Sequence, residues 1–189
     1  MISRHRSSIR LALPAAAAAA ILLFSHRASA FINVGGEVGL FDRSAPAPND
    51  LELGLGYGLH GEIGLLPFIT VGPYYLHYQL SGSPGAIFNV LGARARLTLP
   101  LPVIEPYGYV GVGYTWVSYD TPLPGDFTGN FVEIPLGVGV AYSIIPLLKG
   151  SLDFAYRPGS GFAGSAYDFW GITKPTGGFS VLLGIALDL

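Results

Sequence analysis

From Leu51 to Leu65 apolar and non-apolar positions alternate without a break. Leu51, Leu53, Leu55, Tyr57, Leu59, Ile63 and Leu65 share one face; Glu52, Gly54, Gly56, Gly58, His60, Glu62 and Gly64 share the other. Successive strand residues point to opposite sides of a sheet, so this period predicts a strand with one apolar and one small or polar face. The pattern returns seven more times. Ile32, Val34, Val38 and Leu40 oppose Asn33, Gly35, Glu37 and Gly39. Tyr74, Leu76, Tyr78 and Leu80 form the apolar set of the next strand, against Tyr75, His77 and Gln79. Leu91 to Thr98 follows, with Gly92, Arg94 and Arg96 on its polar side, and then Tyr109 to Trp116. Val132 to Ser143 carries Glu133 opposite its apolar face, and Leu148 to Arg157 carries Lys149, Asp153 and Arg157. Phe179 to Leu189 is the eighth, with Asp188 on the polar side.

The connections are of two kinds, and they alternate. Short apolar turns containing proline fall at Leu66-Pro67, Pro100 to Pro106 and Ile145-Pro146. Longer Gly/Pro-rich loops fall at Asp42 to Asp50, Ser81 to Gly85, Asp120 to Asn130 and Pro158 to Gly178. Eight strands with four loops at one end, and three turns plus both termini at the other, describe an antiparallel up-and-down β-barrel. Short turns on one side and long loops on the other is the asymmetry of transmembrane barrels, whose turns face the periplasm.

Alternation alone does not say which face meets solvent, because soluble barrels alternate too. The polar face carries glycine at 35, 39, 54, 56, 58, 64, 92, 111, 113, 137, 139 and 184, with scattered charges of both signs. A wetted surface would carry many Lys, Glu, Thr and Ser side chains. A crowded eight-strand interior instead needs small residues beside large ones. The apolar face is nearly free of charge, as a lipid-facing band must be. Tyr74, Tyr78, Tyr107, Trp116, Tyr119, Tyr142 and Tyr156 lie near strand ends and are candidates for interfacial aromatic girdles.

Composition adds an export signal. Arg4, Arg6 and Arg10 precede an apolar run from Leu11 to Phe24, and Ala28-Ser29-Ala30 is a small-x-small site. That order is the secretory signal pattern, with cleavage expected after Ala30. The run is too short, and broken by Pro14, to span ~30 Å of hydrocarbon as a helix. The expected organisation is a signal peptide over 1–30 and a barrel domain over 31–189. Four of the ten basic residues leave with the signal, so six remain against twelve acids, a net charge of −6. No basic patch is left to neutralise phosphates, which argues against nucleic-acid binding. The chain has no cysteine, so disulfides, thiol nucleophiles and thiolate metal sites are excluded.

The candidate chemistry sits on the polar face. Glu37, Glu52, Glu62, Glu133, Asp153 and Asp188 are expected in the lumen with Arg94, Arg96, Lys149, Arg157, His60 and His77. In a narrow interior these charges should pair, because an unpaired buried charge is costly. A gate or proton-sensitive switch is one reading of such a network; a space-filling structural plug is the other. No serine stands beside His60 or His77 in a nucleophile–base arrangement, so no catalytic residues, cofactor or metal are expected. The glycine runs lie within strands and open no helix, so they are not phosphate loops. A second candidate surface is the outer loops, where Phe127, Phe162, Phe169 and Trp170 could contact a ligand or cover the barrel mouth.

With these features in hand, the chain from Phe31 to Leu189 resembles the small outer-membrane barrel families: the OmpA-type transmembrane domain and its OmpX-like and OmpW-like relatives. The last strand, Gly184-Ile185-Ala186-Leu187-Asp188-Leu189, looks like the family's β-signal, although Leu182 stands where a polar residue is usual and the last residue is Leu rather than Phe or Trp. The resemblance implies a bacterial outer-membrane location and reading of the C-terminal strand by the barrel-assembly machinery. It also implies contact with outer-membrane lipid and lipopolysaccharide. The expected role is structural or surface-interacting, without enzymatic activity. A narrow channel for small or apolar solutes is the alternative, and a lipid A-modifying enzyme ranks behind it.

Overall fold

In the computed structural model, residues 32–44, 52–81, 86–119, 128–161 and 177–189 are described. Along almost every strand, exposure alternates residue by residue, as the sequence pattern requires. Ten strand segments result: β1 (Ile32–Ser44), β2 (Glu52–Leu66), β3 (Ile69–Leu80), β4 (Ala86–Thr98), β5 (Ile104–Tyr119), β6 (Thr128–Glu133), β7 (Leu136–Ile145), β8 (Leu148–Tyr156), β9 (Gly159–Gly161) and β10 (Gly177–Asp188). Two prolines explain why ten segments make eight barrel strands. Pro135 and Pro158 lack the N–H that a ladder uses. Around them the chain stays in the wall: the Gly111 N–H donates to the Pro135 carbonyl, and the Ile134 N–H donates to that of Pro158, both at 2.9 Å. Thus β6 and β7 are one strand, and β8 and β9 are another.

Each strand pairs antiparallel with its neighbour in sequence. The ring closes where β1 meets β10, in a register from Asn33↔Asp188 to Ser44↔Gly177. Ile32 and Leu189 exchange backbone hydrogen bonds of 3.2 and 2.8 Å at the seam. Through β1–β10 and β4–β5 the ladder runs round the whole ring. That matters because unpaired backbone groups in hydrocarbon cost several kcal/mol each. The architecture is a closed eight-stranded antiparallel up-and-down barrel, as the alternation predicts. The turns after β2, β4 and β7 share one end with the seam termini; we call it the turn end, and the opposite one the loop end. Register shifts occur beside two of the turns, at Gly64/Leu66 and Ser143/Ile145.

The outer wall is apolar. Leu55, Leu183 and Val138 are 72%, 63% and 61% exposed, and similar residues surround them on the barrel strands other than β3. A protein in water rarely exposes a continuous apolar belt of this extent, whereas a lipid-facing wall requires it. Among the described residues no helix is long and apolar enough to cross a membrane.

One strand is turned the other way from the expectation. Tyr74, Leu76, Tyr78 and Leu80 face the interior, each at or below 3% exposure, while Tyr75, His77 and Gln79 face outward. The cause lies on the adjacent strands. In the β2–β3 register Gly54, Gly56 and Gly58 sit opposite Leu80, Tyr78 and Leu76. These glycines leave the interior empty there, and the β3 side chains fill it. A Cβ on Gly58 would collide with Leu76, and one on Gly56 with Tyr78 and Phe41. The same device recurs where Tyr74 covers Gly92 and Gly113, and where Tyr107 and Tyr109 cover Gly139 and Gly137. Of the proposed girdle residues, Tyr74, Tyr78 and Tyr107 are therefore interior. Tyr142 and Tyr156 are outside, Trp116 faces outward, and the Tyr119 side chain lies outside the described residues.

Candidate functional site

Because every second residue of eight strands points inward, the lumen collects side chains far apart in sequence. From the turn end upward they form successive layers. Lys149 Nζ donates to Glu105 Oε2 at 2.7 Å and pairs with Asp188 Oδ2 at 2.8 Å. Asn33 donates from Nδ2 to Asp188 Oδ1 at 2.6 Å, and its Oδ1 lies 3.2 Å from His60 Nε2. These groups line a vestibule of about 640 Å³ that is open at the turn end and reaches inward to Glu62 and Arg96.

Glu62 is the hub of the next layer. It accepts from Arg94 Nε at 2.7 Å and from Thr70 Oγ1 at 2.6 Å, with Arg96 Nη1 at 3.7 Å. Glu37 lies 3.9 Å from Arg94 and 3.8 Å from His60. The Arg96 guanidinium stacks 3.7 Å over the Tyr107 ring, and Arg94 sits 5.2 Å over Tyr109, within cation–π range. Asp153 accepts hydrogen bonds from the phenols of Tyr109, at 2.9 Å, and Tyr107, at 3.3 Å.

Toward the loop end Glu133, fully buried, accepts from Arg157 Nη1 at 2.9 Å and faces Arg43 Nη2 at 3.7 Å. Arg157 also donates to Ser180 Oγ at 3.1 Å. Above this layer the lumen turns apolar. Phe41, Tyr78 and Phe88 form a near-parallel stack with centroid separations of 4.4 and 4.8 Å. Arg43 donates to the Tyr78 hydroxyl and lays its guanidinium 4.2 Å over Phe131 and 5.2 Å over Phe88. With Leu76, Leu80, Val90, Val117 and Leu182 these rings make a dry core inside the barrel.

Of the predicted lumen residues, the structure brings together Glu37, His60, Glu62, Arg94, Arg96, Glu133, Lys149, Asp153, Arg157 and Asp188. His77 is not among them. It faces the outer wall, because β3 presents its odd-numbered residues outward. Glu52 lies opposite Arg43 in the β1–β2 register, and its side chain is outside the described residues. The loop residues Phe127, Phe162, Phe169 and Trp170 are also outside them. Two charges escape the sequence reading. Arg43 continues the inward series Glu37, Gly39, Phe41 past Leu40, where the apolar pattern stops. Glu105 precedes Tyr107 and Tyr109 in the same inward series but stands between prolines that read as a turn. Including both, six carboxylates face five cations among the described lumen residues, and every one of the five cations has a carboxylate within 4.0 Å.

No family model matches the chain, and no curated protein matches it by sequence. Solved structures resemble it in fold. The neisserial surface protein A aligns with a TM-score of 0.70 over 86% of this chain and 100% of that one, at 12% identity. The attachment invasion locus protein Ail of Yersinia pestis, in its complex with the heparin analogue sucrose octasulfate, aligns at 0.58. It covers 82% of this chain and 96% of its own, at 9% identity. The outer membrane enzyme PagL aligns at 0.52 over 80% of this chain and 97% of that one, at 12% identity. A surface protein, an attachment protein and an enzyme share the scaffold, so fold likeness does not choose a role. What it shows, together with the closed ladder and the apolar wall, is that this chain has the fold of the small eight-stranded outer-membrane β-barrels.

Proposed function

We propose that the protein resides in the outer membrane of a diderm bacterium as a non-conducting, non-catalytic barrel whose outer loops carry its interactions. The observation that carries this reading is the aromatic stack of Phe41, Tyr78 and Phe88, held by Arg43 across the loop-end half of the lumen. Conduction needs a wetted path, and this half of the interior is packed rather than wetted. Each cation beneath it has a carboxylate within 4.0 Å on another strand, which suits a rigid filled interior. With the interior so occupied, contact with other molecules falls to the loop end. Hydrophobic aromatics in those loops, Phe127, Phe162, Phe169 and Trp170, supply the chemistry for it.

The test is conductance in planar bilayers after purification from the outer-membrane fraction. Stable insertion without openings supports the reading, and reproducible discrete openings overturn it. A narrow channel remains the second reading, favoured by the charged vestibule, which already admits solvent from the turn end as far as Arg96. Catalysis is tested separately. Expression should leave the mass spectrum of lipid A unchanged, whereas a modified species lost on His60→Ala or His77→Ala would establish an enzyme.

A further inference from the structure

On the outer wall, a lipid-facing surface should be apolar, yet among the described residues a polar row crosses β2 to β5. In a single cross-strand row the outward residues are Tyr57, His77, Asn89 and Trp116. His77 Nδ1 lies 2.9 Å from Asn89 Oδ1, and the Tyr75 hydroxyl donates to the same oxygen at 2.8 Å. The Tyr57 ring rests against the imidazole at 5.0 Å. An amide oxygen only accepts, so Nδ1 is the donor in this contact, and in the neutral imidazole Nε2 is an acceptor. The Asn89 amide N–H groups and the Tyr57 hydroxyl are available as donors. Polar groups facing hydrocarbon without partners are costly, so an arrangement this ordered calls for a polar partner outside the protein.

Beside this row the wall is hollowed. A groove of about 630 Å³ runs over β10, β1, β2 and β3, with Val38, Leu40, Leu55 and Leu183 along it and His77 and Gln79 at its edge. That volume lies in the range of small-ligand sites, roughly 300–1,000 Å³. His77 is three residues below the loop end of β3, which on a strand tilted about 40° is about 8 Å below its tip. The polar row therefore lies just below the loop-end rim, which on the outer-membrane reading is the depth at which acyl chains join their headgroup. It holds no lysine or arginine, and none faces outward beside it among the described residues, so the row is unsuited to phosphate. It suits a group that is itself both donor and acceptor.

The geometry points to a lipid-binding site on the barrel wall. The groove takes an acyl chain, and His77, Asn89 and Tyr57 hydrogen-bond the amide or hydroxyl of a hydroxyacyl chain of lipopolysaccharide's lipid anchor. This inference rests on the outer-membrane location proposed above and adds a defined lipid to it. The ester linkages that join glycerophospholipid chains offer acceptors but no donor at that depth.

The experiment is native mass spectrometry of the full-length purified barrel, titrated with hexa-acylated lipid A and, separately, with phosphatidylglycerol. Wild type should bind lipid A preferentially. The double variant His77→Leu with Asn89→Leu places apolar groups on a lipid-facing wall, so folding should be kept; unchanged heat-modifiable gel mobility checks it. Lipid A affinity should fall roughly tenfold, the loss expected for one or two net hydrogen bonds, with phosphatidylglycerol unaffected. Gln79→Leu, at the groove edge but outside the network, should cause a smaller loss. Equal affinity of wild type for the two lipids, or an unchanged lipid A affinity in the folded double variant, overturns the site. Membrane fractionation of the wild type reports on the location independently, so a misplaced protein and an absent site give different results.

Discussion

Tyr109 of β5 faces Gly137 of β7 across the register, and its ring lies where a side chain on residue 137 would begin. The phenol can reach Asp153 only because that position is empty. The neighbouring pair, Tyr107 over Gly139, repeats the arrangement one step along the strands.

Gly137→Ala should therefore destabilise the barrel by about 1–3 kcal/mol, the usual cost of overpacking. Gly61→Ala is the control, because a Cβ there meets nothing within 4 Å; its effect should stay within about 0.5 kcal/mol. Urea unfolding of the two variants in lipid vesicles measures both. Equal effects would remove the packing account.

Glu133 anchors two guanidiniums in a part of the lumen without solvent. Glu133→Ala strands Arg157 and Arg43, and the expected loss is about 3–5 kcal/mol. Adding Arg157→Leu should recover part of it, so a double-mutant cycle in the same unfolding assay should give a coupling above about 1 kcal/mol. Additive losses would mean that the pair does not act as a unit.

The aromatic stack predicts a gain of function. Replacing Phe41, Tyr78 and Phe88 together by Ala removes the stacked rings from the dry part of the lumen and opens the loop end toward the charged layers beneath. The triple variant, if it shows the folded gel band, should give discrete openings in planar bilayers where wild type gives none. A folded but silent triple variant would place the barrier elsewhere, in the charged layers around Glu62.

On the outer wall Leu183 lies at mid-height and Leu66 beside a turn. Leu183→Arg should cost about 2–4 kcal/mol and Leu66→Arg about 0–1 kcal/mol, following depth in the bilayer. Folding titrations into vesicles read the difference. Equal costs would contradict a membrane belt centred on the middle of the strands.

Much of this barrel is legible in the chain because a strand's two faces are a local matter. Leu51 to Leu65 needs no neighbour to reveal its alternation, and Glu133, Asp153 and Arg157 follow their strands into the lumen. The places where the reading fails are those where the inside is not polar. Arg43 was hidden because Phe41 beside it is an interior aromatic, which interrupts the apparent apolar-out pattern. His77 reads as inward because Tyr74, Leu76, Tyr78 and Leu80 look like a lipid face.

The sequence by itself determined the number of strands, their antiparallel order, the alternation of turns and loops and most of the two faces, since period, proline and glycine act over a few residues. Only the tertiary structure decided which side of β3 is the inside. Residues 54, 56 and 58 leave a hole in the lumen that belongs to another strand, and filling it outweighs the preference of apolar side chains for lipid. From that one reversal follow the aromatic plug within the barrel and the polar row on its wall.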